Sequence, residues 1–252
     1  MTDSWELTPF EFWVAWETLG RDRMPWPLVF TSGVETQVEF DQQCRRAADS
    51  LIAKIGTDES LYHALHALAH PDLRVELFGH RFDGRTRMIR ACGATESNTG
   101  VVAAQIPGEE YGKGGNILIY LRPATAVVNR LIAILPKVPP GTTGGFNVHR
   151  DELTATPDPY ARHRSPGEQA KSFLTRPFRT YAEFRVDTGP ALDGWKEGGT
   201  RLQIIDYTDD GRYLIHEEER VRATPTTPDH LAAELQSLID QATRPATQST
   251  WY

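Results

Sequence analysis

The sequence lacks several features that would assign a function directly. Only two cysteines occur in 252 residues, Cys44 and Cys92, which excludes a disulfide scaffold and a metal site built from four thiolates. The first twenty residues contain no Lys or Arg, so we expect no positively charged export segment there. No run of about 18 apolar residues occurs, so we expect no membrane insertion. Together these absences predict a cytoplasmic protein.

The charge balance and the composition narrow the class of protein further. The chain carries 27 Lys and Arg against 34 Asp and Glu, a formal net charge of −7, and an acidic protein repels the phosphate backbone of nucleic acids. Hydrophobic residues make up 39% of the sequence, which together with the 20 glycines is typical of a folded domain. We therefore expect a globular protein that does not bind nucleic acid.

Sequence motifs for catalysis and nucleotide binding are also missing. The chain contains no nucleophile elbow, no dinucleotide-binding glycine motif and no calcium-binding loop. The segment from Gly108 to Gly114 is one residue shorter than a P-loop and has Gly114 where Ser or Thr must bind magnesium, so it predicts a hairpin loop. The segment from His216 to Arg220 begins like a zinc-protease motif, but Arg220 stands at the second ligand position. The sequence thus predicts no enzyme, no cofactor and no metal.

One group of side chains favours the alternative, an enzyme. His63, His66 and His70 follow one another at i, i+3 and i+7, which places three imidazoles on one helical face, where neighbouring rings can share a metal ion. A solvated polar face opposite a leucine stripe has the same pattern. An uncharacterised hydrolase or metal-binding enzyme that uses this histidine face is therefore the alternative function.

Hydrophobic periodicity gives the order of the secondary-structure elements. Apolar residues recur at helical spacing, often after a capping Thr or a Pro, in segments 8–20, 35–55, 58–70, 123–135, 167–175 and 228–239. Period-two alternation predicts strands at 73–82, 85–91, 101–104, 117–121, 179–187, 200–207 and 212–222. Residues 136–168 are rich in Pro and Gly and are the best candidate for a linker.

The order of elements repeats along the chain. Each half has a helical segment, then antiparallel strands, then a helix that begins at Pro123 or Pro228, which indicates a weak internal repeat. We therefore predict an α+β fold of two quasi-symmetric halves, 1–140 and 141–242, each an antiparallel sheet with flanking helices. Because neither half could easily bury a core of its own, we expect one continuous fold. Residues 243–252 are predicted to form a disordered tail.

The Asp83-Gly84 turn gives the strongest indication of a protein-binding surface. It joins two predicted antiparallel strands and is flanked by Arg81, Arg85 and Arg87. Exposed strands and amphipathic terminal helices of this kind can hold the apolar face of a partner helix, with charges at the rim that fix its register. An ordinary solvated hairpin fits the same residues equally well.

Landmarks in the sequence resemble one known family. The run LTPFEFWVAWETLGRDRMPWPLVF, residues 7–30, contains a helix, a Leu-Gly stop and a Pro-x-Pro-Leu segment that leads into a strand. Glu35-Thr36-x-x-Glu39 begins the long helix, Leu135-Pro136-x-x-Pro-Pro-Gly141 follows the middle helix, and residues 206–213, DYTDDGRY, end in Gly-Arg-Tyr. In this order the landmarks resemble the EspG family, the cytosolic chaperones of mycobacterial-type ESX (type VII) secretion systems.

The resemblance implies a continuous EspG-like α+β fold with quasi-two-fold symmetry. It also implies a cytosolic secretion chaperone, which binds the helical tip of the PPE subunit in a PE–PPE heterodimer, keeps the pair soluble and targets it to an ESX system. Components of the ESX machinery are a further class of partner.

Family members contact their clients through the central sheet, a hairpin loop and the C-terminal helical region. The resemblance therefore places these residues of the chain near a client: Arg81, Phe82, Asp83, Gly84, Arg85, Leu231, Glu234 and Leu235. It also implies a turn at Gly211, with Arg212 and Tyr213 in structural roles.

Overall fold

The structure, a computed structural model, describes residues 4–156, 160, 162–190 and 199–244. Within these residues the chain forms seven α-helices and ten β-strands. The helices are α1 (Pro9–Thr18), α2 (Gln37–Thr57), α3 (Ser60–Ala69), α4 (Val127–Ile132), α5 (Arg150–Thr154), α6 (Pro166–Leu174) and α7 (Pro228–Ala242). The strands are β1 (Ser4–Leu7), β2 (Leu73–Phe82), β3 (Thr86–Glu96), β4 (Thr99–Pro107), β5 (Gly114–Pro123), β6 (Phe146–His149), β7 (Phe178–Thr188), β8 (Thr200–Tyr207), β9 (Arg212–Glu217) and β10 (Arg220–Pro225).

All ten strands belong to one antiparallel sheet, in the order β1-β5-β4-β3-β2-β7-β8-β9-β10-β6. The central pair, β2 and β7, runs in register from Leu73 opposite Thr188 to Arg81 opposite Thr180. The predicted α+β class is therefore confirmed. None of the helices in the described segments is long and apolar enough to cross a membrane.

The strand order has a centre between β2 and β7. The five strands that come first in the chain lie on one side of this centre, and the five later strands lie on the other, with β1 and β6 at the two edges. Backbone hydrogen bonds thus run through the sheet from edge to edge. The division into two related halves at residue 140 stays a prediction, and this strand order is consistent with it.

Helices cover the two faces of the sheet differently. On one face, α4 and α7 pack over the middle of the sheet and bury a large aliphatic core, which includes Leu77, Leu131 and Leu235. On the other face, α1 and α3 pack over β3, β4 and β5, and a separate aromatic cluster lies around Tyr213. The central strands β2 and β7 lie between these two groups on that second face.

The first helix illustrates how local sequence sets the structure. Thr8 caps α1, its hydroxyl accepts a hydrogen bond from the backbone N–H of Glu11, and the Glu11 carboxylate accepts one from the backbone N–H of Thr8, as in a capping box. Glu11 also accepts hydrogen bonds from Lys54 at 2.7 Å and from Ser50 at 2.6 Å. Burial raises the pKa of Glu11, but these hydrogen bonds outweigh burial and lower the pKa below its usual value. Glu11 therefore both caps α1 and connects α1 to α2 through its side chain.

The predicted linker is wrong in its first part. Residues 136–143, which we call the strap, run beside the beginning of β9 and are hydrogen-bonded to it. The backbone N–H of Arg212 donates to the carbonyl oxygen of Pro139 at 2.8 Å, and the N–H of Gly141 donates to the carbonyl oxygen of Arg212 at 3.0 Å. The rest of the predicted linker includes β6 and α5. The prolines and glycines of the strap therefore belong to a segment that is hydrogen-bonded to the sheet.

Other differences concern short elements. The predicted strand 212–222 is two strands, β9 and β10, joined by a tight turn at Glu218 and Glu219. The strand that the family resemblance implied after Pro27 does not form, and residues 28–30 are irregular. Edge strand β1 was not predicted. Thr243 ends α7, since its N–H donates to the carbonyl oxygen of Ile239, and residues 245–252 of the predicted tail lie outside the described part of the chain.

Candidate protein-binding surface

Aromatic side chains line the two central strands on the face opposite α4 and α7. Side chains alternate along a strand, so the aliphatic residues of β2 enter the core while Phe78 and His80 lie on the second face. The ring of His80 lies 5.9 Å from the ring of Tyr181, its cross-strand partner, and 5.9 Å from that of Phe178. Trp26 contacts Phe78 at 5.1 Å. The aromatic strip consists of Trp26, Phe78, His80, Phe82, Phe178 and Tyr181.

The strip is accessible at the end of the sheet that carries the β2–β3 turn. Phe82 is 55% exposed and Phe178 is 42% exposed. The loop between β4 and β5 lies at the same end, because Arg85 donates to the carbonyl oxygen of Glu109. This loop carries Tyr111, which is also exposed. Large apolar side chains therefore gather at one end of the sheet, which is typical of a surface that binds another protein.

The opposite end of the central strands is closed by buried charges. Glu76 lies 3.2 Å from the Nε of Arg74 and 3.7 Å from Arg185, and both arginines also pair with Asp187. Burial raises the pKa of Glu76, and the two arginines oppose this rise. These four charges balance one another, and the large exposed apolar side chains of the second face, Phe82 and Phe178, lie at its hairpin end.

The β2–β3 turn forms a basic rim beside the strip. Asp83 accepts a hydrogen bond from Arg87 at 3.0 Å and lies 3.7 Å from the Nε of Arg81. Gly84 has a φ of +97°, a conformation that glycine adopts without strain. With Arg85 included, three arginines surround a single aspartate at this turn, so the rim is positively charged in an otherwise acidic protein.

A groove separates this turn from the strap. It has a volume of about 490 Å³, and its lining includes Arg81, Phe82, Pro136, Val138 and Arg179. Phe82, Pro136 and Val138 make part of the lining apolar, and charged side chains of both signs, those of the two arginines and of Asp83, complete it. The predicted residues Arg81 to Gly84 thus line one groove, and the strap, which was not predicted to contribute, forms its other side.

The predicted contact residues of α7 occupy a different position. Leu231 and Leu235 have no exposed surface and belong to the aliphatic core, so their side chains do not reach the surface of the free protein. Glu234 is half-exposed and lies 3.3 Å from His230 and 3.7 Å from His216. Burial and the nearby Arg222 lower the pKa of His216. Since α7 covers the face opposite the aromatic strip, the predicted set does not form one surface.

The histidine face of α3 carries no metal-binding arrangement. The rings of His66 and His70 stack at 4.6 Å, and the Nδ1 of His66 lies 3.6 Å from a carboxylate oxygen of Glu96. Both His63 and His70 are exposed. Nowhere in the described segments do His, Cys, Asp and Glu side chains group in a way that could hold a metal ion. This geometry gives no support to an enzyme built on that face.

Most of the aromatic strip was missed in the sequence. Its signal is present in β2, where Phe78, His80 and Phe82 stand at every second position and so share the face opposite Leu73, Val75 and Leu77. Alternation alone does not tell whether helices cover the second face. In the structure, α1, α3 and α6 pack on the outer strands. Aromatic side chains, and not a helix, therefore cover the second face of the central strands.

Comparison with known proteins agrees with this architecture. The sequence model of the EspG family matches residues 8–237, which is most of the chain. No curated protein matches the sequence. The family match spans the strap, the central strands and the hairpin turn described above. The chain therefore belongs to the EspG family, a family of ESX secretion-associated chaperones.

Proposed function

We propose that this protein is a cytosolic chaperone for PE–PPE heterodimers. It binds the exposed helical tip of the PPE subunit, keeps the pair soluble and targets it to a type VII (ESX) secretion system, where components of the ESX machinery are further partners. The observation that carries the proposal is the aromatic strip with its basic rim, at the accessible end of an otherwise covered sheet.

The chemistry of this surface suits the end of a helical partner. An exposed helical tip presents apolar side chains that aggregate unless another apolar surface covers them. Aromatic and arginine side chains are enriched in protein interfaces, and the hairpin end offers both, in Phe82, Phe178, Arg81 and Arg85. The groove beside the strap adds a concave surface at the same end of the sheet, and Phe82 belongs both to this groove and to the strip.

Charge supports the same partner. The rim arginines lie at the same end of the sheet as the exposed part of the strip, where they can pair with acidic side chains at the edge of a client and fix its orientation. The net charge of −7 keeps a carrier soluble while it holds an aggregation-prone protein. An enzyme that uses the histidine face has no comparable observation in its favour.

Co-expression with PE–PPE pairs, followed by size-exclusion chromatography, tests this function. We expect the wild-type chain to elute together with at least one pair. Phe82→Asp with Phe178→Asp should abolish co-elution, because the partner would have to bury two carboxylates. Val38→Asp on α2 is the matched control, since Val38 is also exposed, at 66%.

Charge reversal tests the rim separately. Arg81→Glu with Arg85→Glu should weaken client capture in a pull-down, whereas Arg46→Glu, on the exposed side of α2, should not. Full capture by the strip and rim variants would remove this surface from the interface. Failure of the wild-type chain to capture any PE–PPE pair would contradict the chaperone function itself.

A further inference from the structure

A second accessible apolar surface lies between the N-terminal helices. A groove of about 240 Å³ runs between α1, α2 and α3, and apart from Thr18 and Tyr62 its lining side chains are apolar. The Thr18 hydroxyl already donates a hydrogen bond to the carbonyl oxygen of Val14 at 2.8 Å. In the same lining, Ile52 is 70% exposed and Tyr62 is 46% exposed. These side chains belong neither to the aromatic strip nor to the basic rim, so the proposed function does not account for them.

The dimensions of this groove fit an α-helix. Its lining residues on α2 are Ala48, Leu51, Ile52 and Ile55. They recur at steps of three and four, and from the first to the last they span about 10 Å of helix at 1.5 Å per residue. Two turns of a second helix cover the same distance, and its side chains at i, i+3 or i+4 and i+7 then face the groove. Large apolar side chains at those positions would bury Ile52 and Tyr62.

Three exposed carboxylates lie beside the groove. Each is three residues, about one helical turn, from a residue of the lining: Glu17 from Val14, Asp49 from Ile52 and Glu59 from Tyr62. Within the part of the chain that the structure describes, none of the three forms an ion pair or a side-chain hydrogen bond. They are therefore available to basic side chains of a partner that lies in the groove.

Acidic side chains from two helices meet at one end of the groove. Cys44 lies on α2, one turn before Ala48. Burial raises the pKa of its thiol, and Glu17 and Asp41 raise it further, because their negative charges disfavour a thiolate. Glu17 on α1 and Asp41 on α2 therefore both lie near this end of the groove.

The charge of this region is opposite to that of the basic rim. Residues 6–59, which include α1 and α2, carry ten acidic and five basic side chains, so they supply −5 of the net charge of −7. Among the basic residues, Lys54 is already paired with Glu11 at 2.7 Å, and Arg45 is an exposed cation that the carboxylates beside the groove outnumber. An apolar segment that carries Lys or Arg along its edges is therefore complementary to the groove in shape and in charge.

We propose that this groove binds a basic amphipathic helix of a protein other than the client. Large apolar side chains of that helix cover Ile52 and Tyr62, and its Lys or Arg side chains pair with Glu17, Asp49 and Glu59. The chain then has two binding surfaces of opposite charge, one for the client and one for a second protein. The proposal goes beyond the chaperone function and is tested independently of it.

Fluorescence anisotropy with a designed peptide tests the groove directly. The probe is a labelled helical peptide of about 14 residues, with leucine along one face at i, i+3, i+4 and i+7 and lysine elsewhere. The control peptide has glutamate in place of every lysine. The wild-type chain should bind the basic peptide at least about tenfold more tightly than the acidic one. Higher ionic strength should weaken this binding, because salt screens the ion pairs at the edge of the groove.

Substitutions with matched controls locate the binding site of the basic peptide. Ile52→Ser should raise its dissociation constant about tenfold, because an apolar contact is lost, whereas Val38→Ser, at a position that is 66% exposed but outside the groove, should not. Asp49→Lys should raise the constant about fivefold. Glu39→Lys is the same change nine residues before Ala48, on the opposite side of α2, and should have no effect. Circular dichroism of each variant should show unchanged folding.

The client surface should play no part in this binding. Phe82→Asp/Phe178→Asp should bind the basic peptide as tightly as the wild type, and so should a chain that captures no PE–PPE pair. No measurable binding of the basic peptide, or equal binding by Ile52→Ser and the wild type, would overturn the proposal. A groove occupied by a second copy of the chain, seen as loss of peptide binding at concentrations where the chain self-associates, would also overturn it.

Discussion

Removal of the Asp206 carboxylate should destabilise the protein severely. The guanidinium of Arg212 donates two hydrogen bonds to Asp206, at 2.6 and 2.9 Å, and a third to the carbonyl oxygen of Pro136 at 2.7 Å. Both charged side chains are almost completely buried. Asp206→Ala leaves the guanidinium buried without its counter-charge, which costs about 3–5 kcal/mol. For a chain of this size the melting temperature should fall by roughly 6–20 °C.

A double-mutant cycle separates the ion pair from simple loss of packing. In urea unfolding, Asp206→Ala should lower the free energy of unfolding by more than the double change Asp206→Ala/Arg212→Met does, because the second change removes the unpaired charge. Arg212→Met also releases Pro136, a wall of the groove, so it should weaken client capture. A loss below about 1 kcal/mol for Asp206→Ala would refute the reasoning, since that magnitude is typical of an exposed ion pair.

Two further predictions concern the strap and the turn before β9. Gly211→Ala should destabilise the fold by about 1–3 kcal/mol, because a Cβ there would lie 2.7 Å from two backbone oxygens of the strap. The control Gly144→Ala, which has open space around it, should change stability by less than about 0.5 kcal/mol. Equal losses of stability in thermal unfolding would contradict the contact between Gly211 and the strap. Burial raises the pKa of Asp210, but hydrogen bonds from Thr142 and Tyr213 outweigh it and hold the pKa well below its usual range. The stability that these bonds contribute should therefore be present above about pH 4 and lost progressively as pH falls below it. Asp210→Asn should lower stability at neutral pH and flatten the acid side of the stability curve; an unchanged acid side would show that Asp210 is not the responsible group.

The sequence predicted those helix ends that depend on residues close together in the chain. Thr8 and Pro9 predicted the beginning of α1, and Thr227 and Pro228 predicted that of α7, where the Thr227 hydroxyl accepts a hydrogen bond from the N–H of His230. The buried stripe of α7 also followed from its spacing. The turn between β9 and β10 was missed because Glu218 and Glu219 carry none of the usual turn signals.

The candidate site could not be predicted in full, because it is formed by contacts between residues that are far apart in the sequence. The strap was taken for part of a linker because Pro and Gly suit both a free segment and a segment packed closely on a strand. Gly211 does lie in the turn between β8 and β9, as expected, but its φ is not positive, and the close approach of the strap is the structural reason for a glycine there. The aromatic strip became visible only when the helices had been placed on the outer strands.

Co-elution of the wild-type chain with a PE–PPE pair, compared with the Phe82→Asp/Phe178→Asp variant, tests the central claim most directly. The account predicts a stable complex with the wild type, and a folded variant that elutes without the client. A folded variant that still binds the pair with wild-type affinity would contradict the claim that the aromatic strip is the client-binding surface.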